Sequence, residues 1–96
     1  MAVFMIERTF AEQLELTPEG AAAITRINDD VGVQWLFSFL SADKKKTYCL
    51  YEAASPDAVR EAARRNNIPA DTIIEMSGVV TTTGDLRGTE TVTPLQ

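Results

Sequence analysis

Apolar residues along this chain alternate between the spacing of strands and the spacing of helices. Four segments rich in β-branched, aromatic and other apolar residues predict strands, at residues 3–10, 33–40, 47–53 and 71–76. The second and third are separated by a polar segment, which predicts a hairpin with a loop of about five residues. The fourth is short, and residues 77–80 are candidates for its extension.

Two further segments carry the start signals of helices. Each begins with a hydroxyl residue, a proline and an acid, the first at Thr17 and the second at Ser55. Asn67, followed by Pro69, is typical of a residue in the left-handed conformation just past a helix end. Narrow apolar stripes follow each start, formed by Ile24, Ile27 and Val31 in the first segment and by Val59, Ala62 and Ala63 in the second.

The order of these elements, β-α-β-β-α-β, predicts an α+β, ferredoxin-like domain over residues 1–80. With right-handed crossovers, the four strands form an antiparallel sheet in the order 4-1-3-2, with both helices on one face. Residues 81–96 contain six threonines, two glycines and one proline, and they have little to bury. We therefore predict that this segment is a flexible or partner-contacting C-terminal tail.

One face of the predicted sheet is left without helices. The segment 33–40 alone supplies a tryptophan and two phenylalanines, so the open face is expected to carry apolar groups. An exposed apolar patch of this kind normally meets a partner or a ligand. We therefore expect a homodimer packed through the open faces, and a small-molecule pocket bounded by the open face.

Composition narrows the classes of function. The chain has 96 residues and a net charge of −5, which suits one domain and argues against a nucleic-acid partner. No apolar run approaches the roughly 20 residues of a membrane span, so no membrane partner is expected. The single cysteine excludes an intramolecular disulfide and favours a reducing, cytoplasmic location. The absence of histidine excludes Ser-His-Asp triads and histidine-based metal sites, so we predict neither a cofactor nor a metal ligand.

Carboxylates near the ends of apolar strands are the candidate catalytic groups. Glu52 and Glu75 are predicted to approach the same end of the sheet, because strands three and four both flank strand one. A carboxylate held against apolar neighbours has a raised pKa, which suits general acid or base chemistry. The alternative is that these acids are rim residues, solvated or paired with Arg8.

The face that the candidate residues occupy depends on the sheet register, because a shift of one residue exchanges the two faces. The favoured register sets Glu52 opposite Gln34. It puts Gln34, Ser38, Tyr48, Glu52 and Glu75 on the open face and Trp35, Phe37, Phe39, Cys49 and Tyr51 under the helices. Glu7 and Arg8 complete the predicted ligand-binding set, with Arg8 as the partner of an anion. Cys49 is predicted to be an inert buried thiol, since no histidine is available to activate it.

Four stretches of the chain resemble a known bacterial family. They are IERTF (residues 6–10), GVQWLFSFLS (32–41), TYCLYEA (47–53) and VREAARRNNIPADTIIEM (59–76). In content and order they are similar to the domain of unknown function numbered 4242, often labelled a nickel-binding protein. The resemblance implies a dimeric ferredoxin-like fold. Nickel-binding members carry histidines, commonly one at the position of Ala63, so their metal site does not carry over to this histidine-free chain. The matching polar framework consists of Glu7, Arg8, Tyr48, Cys49, Glu52 and Glu75.

Three hypotheses for function stay open at this point. The first is a cofactor-free isomerase, cyclase or monooxygenase-like catalyst that uses a buried glutamate on an apolar substrate, an analogy drawn at the level of the fold. The second is a divalent-metal (nickel-like) or metabolite-binding protein without catalysis. The third is an interaction module with neither property.

Overall fold

A computed structural model describes residues 1–89 of the 96-residue chain. The helices are α1 (Pro18–Asp30) and α2 (Pro56–Asn66), and the strands are β1 (Ala2–Thr9), β2 (Gln34–Leu40), β3 (Lys46–Ala53), β4 (Thr72–Met76), β5 (Gly78–Val80) and β6 (Leu86–Gly88). The first four strands form one antiparallel sheet in the order β2-β3-β1-β4. The predicted α+β, ferredoxin-like fold and its strand order are confirmed.

The two helices begin and end where the local chemistry requires it. The side chain of Thr17 accepts a hydrogen bond from the backbone N–H of Gly20, and the side chain of Ser55 accepts one from the N–H of Ala58. Asn67 has φ 56° and ψ 44°, the left-handed conformation predicted for it, and its N–H closes the last turn of α2. These caps set the lengths of both helices.

The sheet has a helix face, which α1 and α2 cover, and an open face, which no element among residues 1–89 covers. The main core lies on the helix face, where α2 packs Val59 and Ala62 on β1 and β3; its buried members are Phe4, Ile6, Val33, Cys49, Tyr51, Ala53, Val59 and Ala62. A smaller cluster of Val3, Leu36 and Leu50 lies on the open face, against Met5, Phe37 and Met76. The open face is thus apolar at its centre, as expected.

A β-bulge in β2 decides which side chains reach each face. The register shifts between Trp35 and Phe37, so Trp35 lies opposite Tyr51 while Phe37 lies opposite Leu50. Phe37 and Phe39 therefore lie on the open face, and Ser38, opposite Cys49, lies on the helix face. The prediction for these three residues was wrong because strict alternation cannot account for a residue inserted in mid-strand.

The chain after β4 adds a small hairpin of its own. Strands β5 and β6 pair with each other in a separate two-stranded sheet, so residues 78–80 do not extend β4. The segment predicted as a tail, 81–96, contains β6, and its last residues, 90–96, lie outside the described part of the chain. None of the helices described is long and apolar enough to cross a membrane.

Candidate functional site

A cavity of about 440 Å³ lies between the helix face of the sheet and the segments that cross over it. Its volume falls within the range of small-molecule sites, about 300–1,000 Å³. The sheet supplies Arg8, Trp35, Ser38, Leu40, Thr47, Cys49 and Tyr51, and the covering segments supply Phe10, Leu14, Leu16, Ile24, Lys44 and Ile68. Most of these side chains are apolar, so the wall suits an apolar ligand.

One wall of the cavity is the loop between β1 and α1. The N–H of Phe10 donates to the carbonyl oxygen of Lys45 over 2.8 Å, and the N–H of Leu14 donates to that of Lys44 over 2.7 Å. These bonds fasten the loop to the β2–β3 turn, where Lys44 takes a positive φ of 63°. The loop thereby holds the side chains of Leu14 and Leu16 against the cavity.

A buried arginine enters the cavity from the end of β1, an inner strand of the sheet. Arg8 lies near the end of β1 with only 3% of its surface exposed. Its guanidinium donates to the carbonyl oxygen of Pro69 and, over 3.2 Å, to the hydroxyl oxygen of Tyr51, whose ring centroid lies 5.5 Å from the guanidinium carbon. Among residues 1–89, Arg8 forms no ion pair. The described structure thus buries this cation without a counter-charge.

The tyrosine beside Arg8 keeps its proton in this environment. Burial raises the pKa of Tyr51 above its ordinary value of 10.0, and the nearby Arg8 charge opposes that effect only in part. The Tyr51 hydroxyl accepts a hydrogen bond from Arg8, and its own proton has no acceptor among the described residues. A protonated phenol with a free donor therefore stands next to the guanidinium.

The remaining polar groups of the cavity are neutral, apart from one lysine at the mouth. Trp35 stacks on Tyr51 and donates its indole N–H to the Ser38 hydroxyl over 2.9 Å. The Cys49 thiol is buried and donates to the Thr47 hydroxyl over 3.4 Å. Lys44 is exposed, and among residues 1–89 no aspartate or glutamate lines the cavity. The cavity is therefore electropositive within an acidic protein.

The structure divides the predicted site residues between the two faces. Gln34, Tyr48, Glu52 and Glu7 lie on the open face; Glu52 is opposite Gln34, as predicted, and Glu7 pairs with Lys46. Arg8 and Ser38 line the cavity. The prediction of Glu75 on the open face was wrong: its register sets it opposite Phe4, so it lies exposed on the helix face at the sheet edge. Glu52 and Glu75 approach the same end of the sheet from opposite faces and do not line the cavity.

The cavity is not where the sequence placed the pocket. A site bounded by the open face was predicted, whereas this cavity lies on the helix face. Sequence reasoning missed the loop side chains because the segment 11–16 was interpreted only as a connection. Its two leucines, Leu14 and Leu16, were the available signal, since exposed connections rarely need large apolar residues.

The fold and the cavity together define a small ferredoxin-like α+β protein with an apolar-walled cavity on the helix face of its sheet. The profile of the family described as "Nickel responsive protein SCO4226-like" matches residues 4–76, and the chain belongs to this family. The crystal structure of SCO4226 from Streptomyces coelicolor A3(2) superimposes with a TM-score of 0.66 at 24% identity, covering 78% of this chain and 95% of that one. That likeness shows the fold alone. No curated protein matches the chain. The nickel-related family resemblance is confirmed at this level, and the family number 4242 stays a prediction.

The residues of this chain do not fit a nickel ion of the usual protein type. Nickel sites in proteins favour imidazole and thiolate ligands, and the chain has no histidine and one cysteine. That cysteine, Cys49, is buried on the sheet and bonded to Thr47. Within residues 1–89 no three side chains of histidine, cysteine, aspartate or glutamate come together as a metal site would require.

Tyr51 offers a direct test of the environment of the cavity. Because the folded state holds its pKa above 10.0, we expect Tyr51 to ionise at higher pH than a free tyrosine does. Its contribution to stability is complete below the unfolded-state pKa and is lost as pH rises through the folded-state pKa. An ultraviolet titration of tyrosinate in the Tyr48→Phe variant, which retains only Tyr51, should show the raised midpoint.

The Tyr51→Phe variant is the matched control, because it keeps only the partly exposed Tyr48. The late alkaline step should be absent from it. A Tyr51 midpoint at or below that of a free tyrosine would show that the ring is in contact with water.

Proposed function

We propose that this protein binds a small apolar organic molecule in the cavity beneath its helices and does not transform it. The observation that carries the proposal is the cavity itself, about 440 Å³ in volume and lined mainly by apolar side chains. A few polar groups, led by Arg8 and Tyr51, enter this wall. Apolar walls with a small number of oriented polar groups are the usual form of a small-molecule site.

Apolar area is the source of affinity in such a site. Leu14, Ile24 and Ile68 face the cavity from three different covering segments. A ligand that fills the space removes their surfaces from water, at about 25 cal/mol per Å² of apolar area. Because the covering loop is fastened to the β2–β3 turn, a ligand would not have to order it first.

The composition of the wall favours binding over catalysis. No carboxylate is among its described residues, and its one thiol, Cys49, has no base beside it. The catalytic role of Glu52 and Glu75 stays a prediction, since both lie away from the cavity. A proton-transfer mechanism on a ligand in this cavity would have no carboxylate or histidine as general base among the lining residues that the structure describes.

Binding in the cavity is testable with a neutral apolar probe. We expect 1-decanol to bind and to change the fluorescence of Trp35, the one tryptophan in the chain, which lines the cavity. The Ile24→Phe variant places a larger ring in the cavity and should weaken binding by about tenfold, the effect of about 1.4 kcal/mol. Calorimetric titration would measure both dissociation constants.

Ile27→Phe is the matched control, because Ile27 lies on the same helix and does not line the cavity. It should bind decanol as the wild type does. The proposal is wrong if neither decanol nor its carboxylate analogue decanoate binds, or if the two variants weaken binding equally.

Family membership favours a second candidate, a direct response to nickel. The family is described as nickel responsive, and its profile matches residues 4–76. Against direct binding stand the absence of histidine from the chain and the absence of a metal-type cluster within residues 1–89. We therefore favour a small apolar organic molecule over nickel as the ligand.

We expect added Ni²⁺ to leave the melting temperature of this protein unchanged. A ligand that binds only the folded state raises that temperature, so a flat response over a wide range of nickel concentration would indicate no folded-state site. The Cys49→Ser variant is the control for the one thiol. A nickel-dependent rise that disappears in this variant would reverse the order of the two candidates.

We further propose that two copies associate through their open faces. The cluster of Val3, Leu36 and Leu50 continues into large exposed side chains: Phe39 is 60% exposed and Ile74 is 52% exposed. A second copy presents the same surface, and a two-fold axis would set these apolar groups against one another. The cavity opens on the other face, so such a dimer would leave it accessible.

Sedimentation analysis should therefore show a dimer that the Ile74→Lys substitution dissociates, because it buries an uncompensated charge in the interface. The Ala22→Lys substitution adds the same charge on the exposed side of α1 and should leave the dimer intact. A wild-type protein that sediments as a monomer at micromolar concentration would contradict this proposal.

A further inference from the structure

The charges of the cavity identify the chemical class of its ligand. We infer that the ligand is an apolar monocarboxylic acid, with its carboxylate bound by Arg8 and Tyr51 and its apolar body between the helices and the sheet. This inference rests on the proposed function, and it adds the anionic group that the ligand must carry.

The first observation is the sign of the charge in the cavity. Arg8 and Lys44 line it, and no acid is among its described lining residues, although the whole chain carries a net charge of −5. If charged residues were distributed at random, a chain with this excess of acids would be expected to have a neutral or acidic cavity. A cation in a cleft with apolar, low-dielectric walls attracts anions from solution, because such walls focus its electric field.

The second observation is the energetic state of Arg8. Taking an ion out of water costs several kcal/mol unless other groups compensate the charge. The carbonyl of Pro69 and the hydroxyl and ring of Tyr51 supply dipoles, and no described residue supplies a negative charge. A ligand carboxylate would complete this compensation, so its binding beside Arg8 would be electrostatically favourable.

The third observation is the set of hydrogen-bond donors available to such a ligand. A guanidinium has five N–H donors in a planar fork that matches a carboxylate, and protein acceptors take two of them here. The Tyr51 hydroxyl accepts from Arg8 and keeps a proton without an acceptor among residues 1–89. Burial raises the pKa of Tyr51, so this proton remains in place at neutral pH. Two donors of different kinds thus lie about one hydrogen-bond length apart.

The charge balance favours a carboxylate over a phosphate. One buried cation neutralises one negative charge, whereas a phosphate monoester carries nearly two at neutral pH. Lys44, the second cation, is exposed at the mouth, where water screens its charge. A second negative charge would therefore be buried without compensation.

The test compares ligands that share one apolar chain and differ in the head group. At neutral pH and below micelle-forming concentrations, calorimetry should show decanoate binding at least about tenfold more tightly than 1-decanol, since hydrogen bonds between charged groups are roughly twice as strong as those between neutral groups. Decyl phosphate and decylammonium should bind more weakly than decanoate.

Variants then locate the anion. Arg8→Met should abolish the preference for decanoate while keeping decanol binding, and Tyr51→Phe should reduce the preference in part. Arg8→Lys should retain some preference, because it keeps the charge without the planar fork. Arg60→Met removes the same charge from the exposed side of α2, where Arg60 pairs with Asp57, and should change nothing.

The outcomes separate the two proposals. If neither decanol nor decanoate binds, the proposed function fails and the inference fails with it. If both bind equally, the cavity is a site for neutral molecules and the carboxylate inference alone is overturned. If Arg8→Met keeps the preference for decanoate, the binding of the carboxylate by Arg8 is overturned. A preference for decyl phosphate would overturn the choice of carboxylate. The head-group comparison uses the wild-type protein, so it decides the matter even if the Arg8 variants fail to fold.

Discussion

The covering of one sheet face by two short helices is the constraint on which the rest of this structure depends. Helices of 13 and 11 residues lie over a four-stranded sheet, and α2 packs closely because its buried stripe is Val59, Ala62 and Ala63. Close packing by α2 over one end of β1 and β3 leaves the other end to the loop 10–17. A loop cannot fill that volume as regular packing does, and the cavity is the space that remains.

The position of Arg8 follows from the same division. Strand β1 alternates its side chains, so Phe4, Ile6 and Arg8 share the helix face. The first two lie in the main core and the third lies beyond it, in the cavity. Pro69, just past α2, supplies a carbonyl acceptor there, and Tyr51 supplies a hydroxyl and a ring. The cation is therefore held by the junction of sheet and helix, which makes it a rigid part of the site rather than a mobile surface charge.

The helices, the main strands, the strand order and one strand register could be predicted from the sequence. The face of the sheet was predicted wrongly for several side chains. Local chemistry determines the helix starts at Thr17 and Ser55 and the left-handed conformation of Asn67. These features can therefore be predicted from the sequence. The pairing of Glu52 with Gln34 was also correct. The bulge between Trp35 and Phe37 has no such local signal, and it moved Ser38 into the cavity and both phenylalanines out. The cavity itself arises from a loop and a helix end that are distant in sequence, so no single segment predicts it.

The family description suggests nickel chemistry, whereas the side chains of the cavity favour an organic ligand. One fold is compatible with both. The family profile covers residues 4–76, which include both helices and all of the main sheet except the first two residues of β1. A shared scaffold carries no fixed ligand, because function depends on the side chains placed in the site. Here the chain has no histidine, and the cavity holds a buried arginine without a counter-charge within residues 1–89 and a wall that includes leucine and isoleucine. A metal cation would be repelled by Arg8 and would find no imidazole in this wall, whereas an apolar anion would be attracted by the arginine and accommodated by the apolar side chains. For this reason we propose an organic anion, rather than the metal that the family description suggests, as the ligand of the cavity.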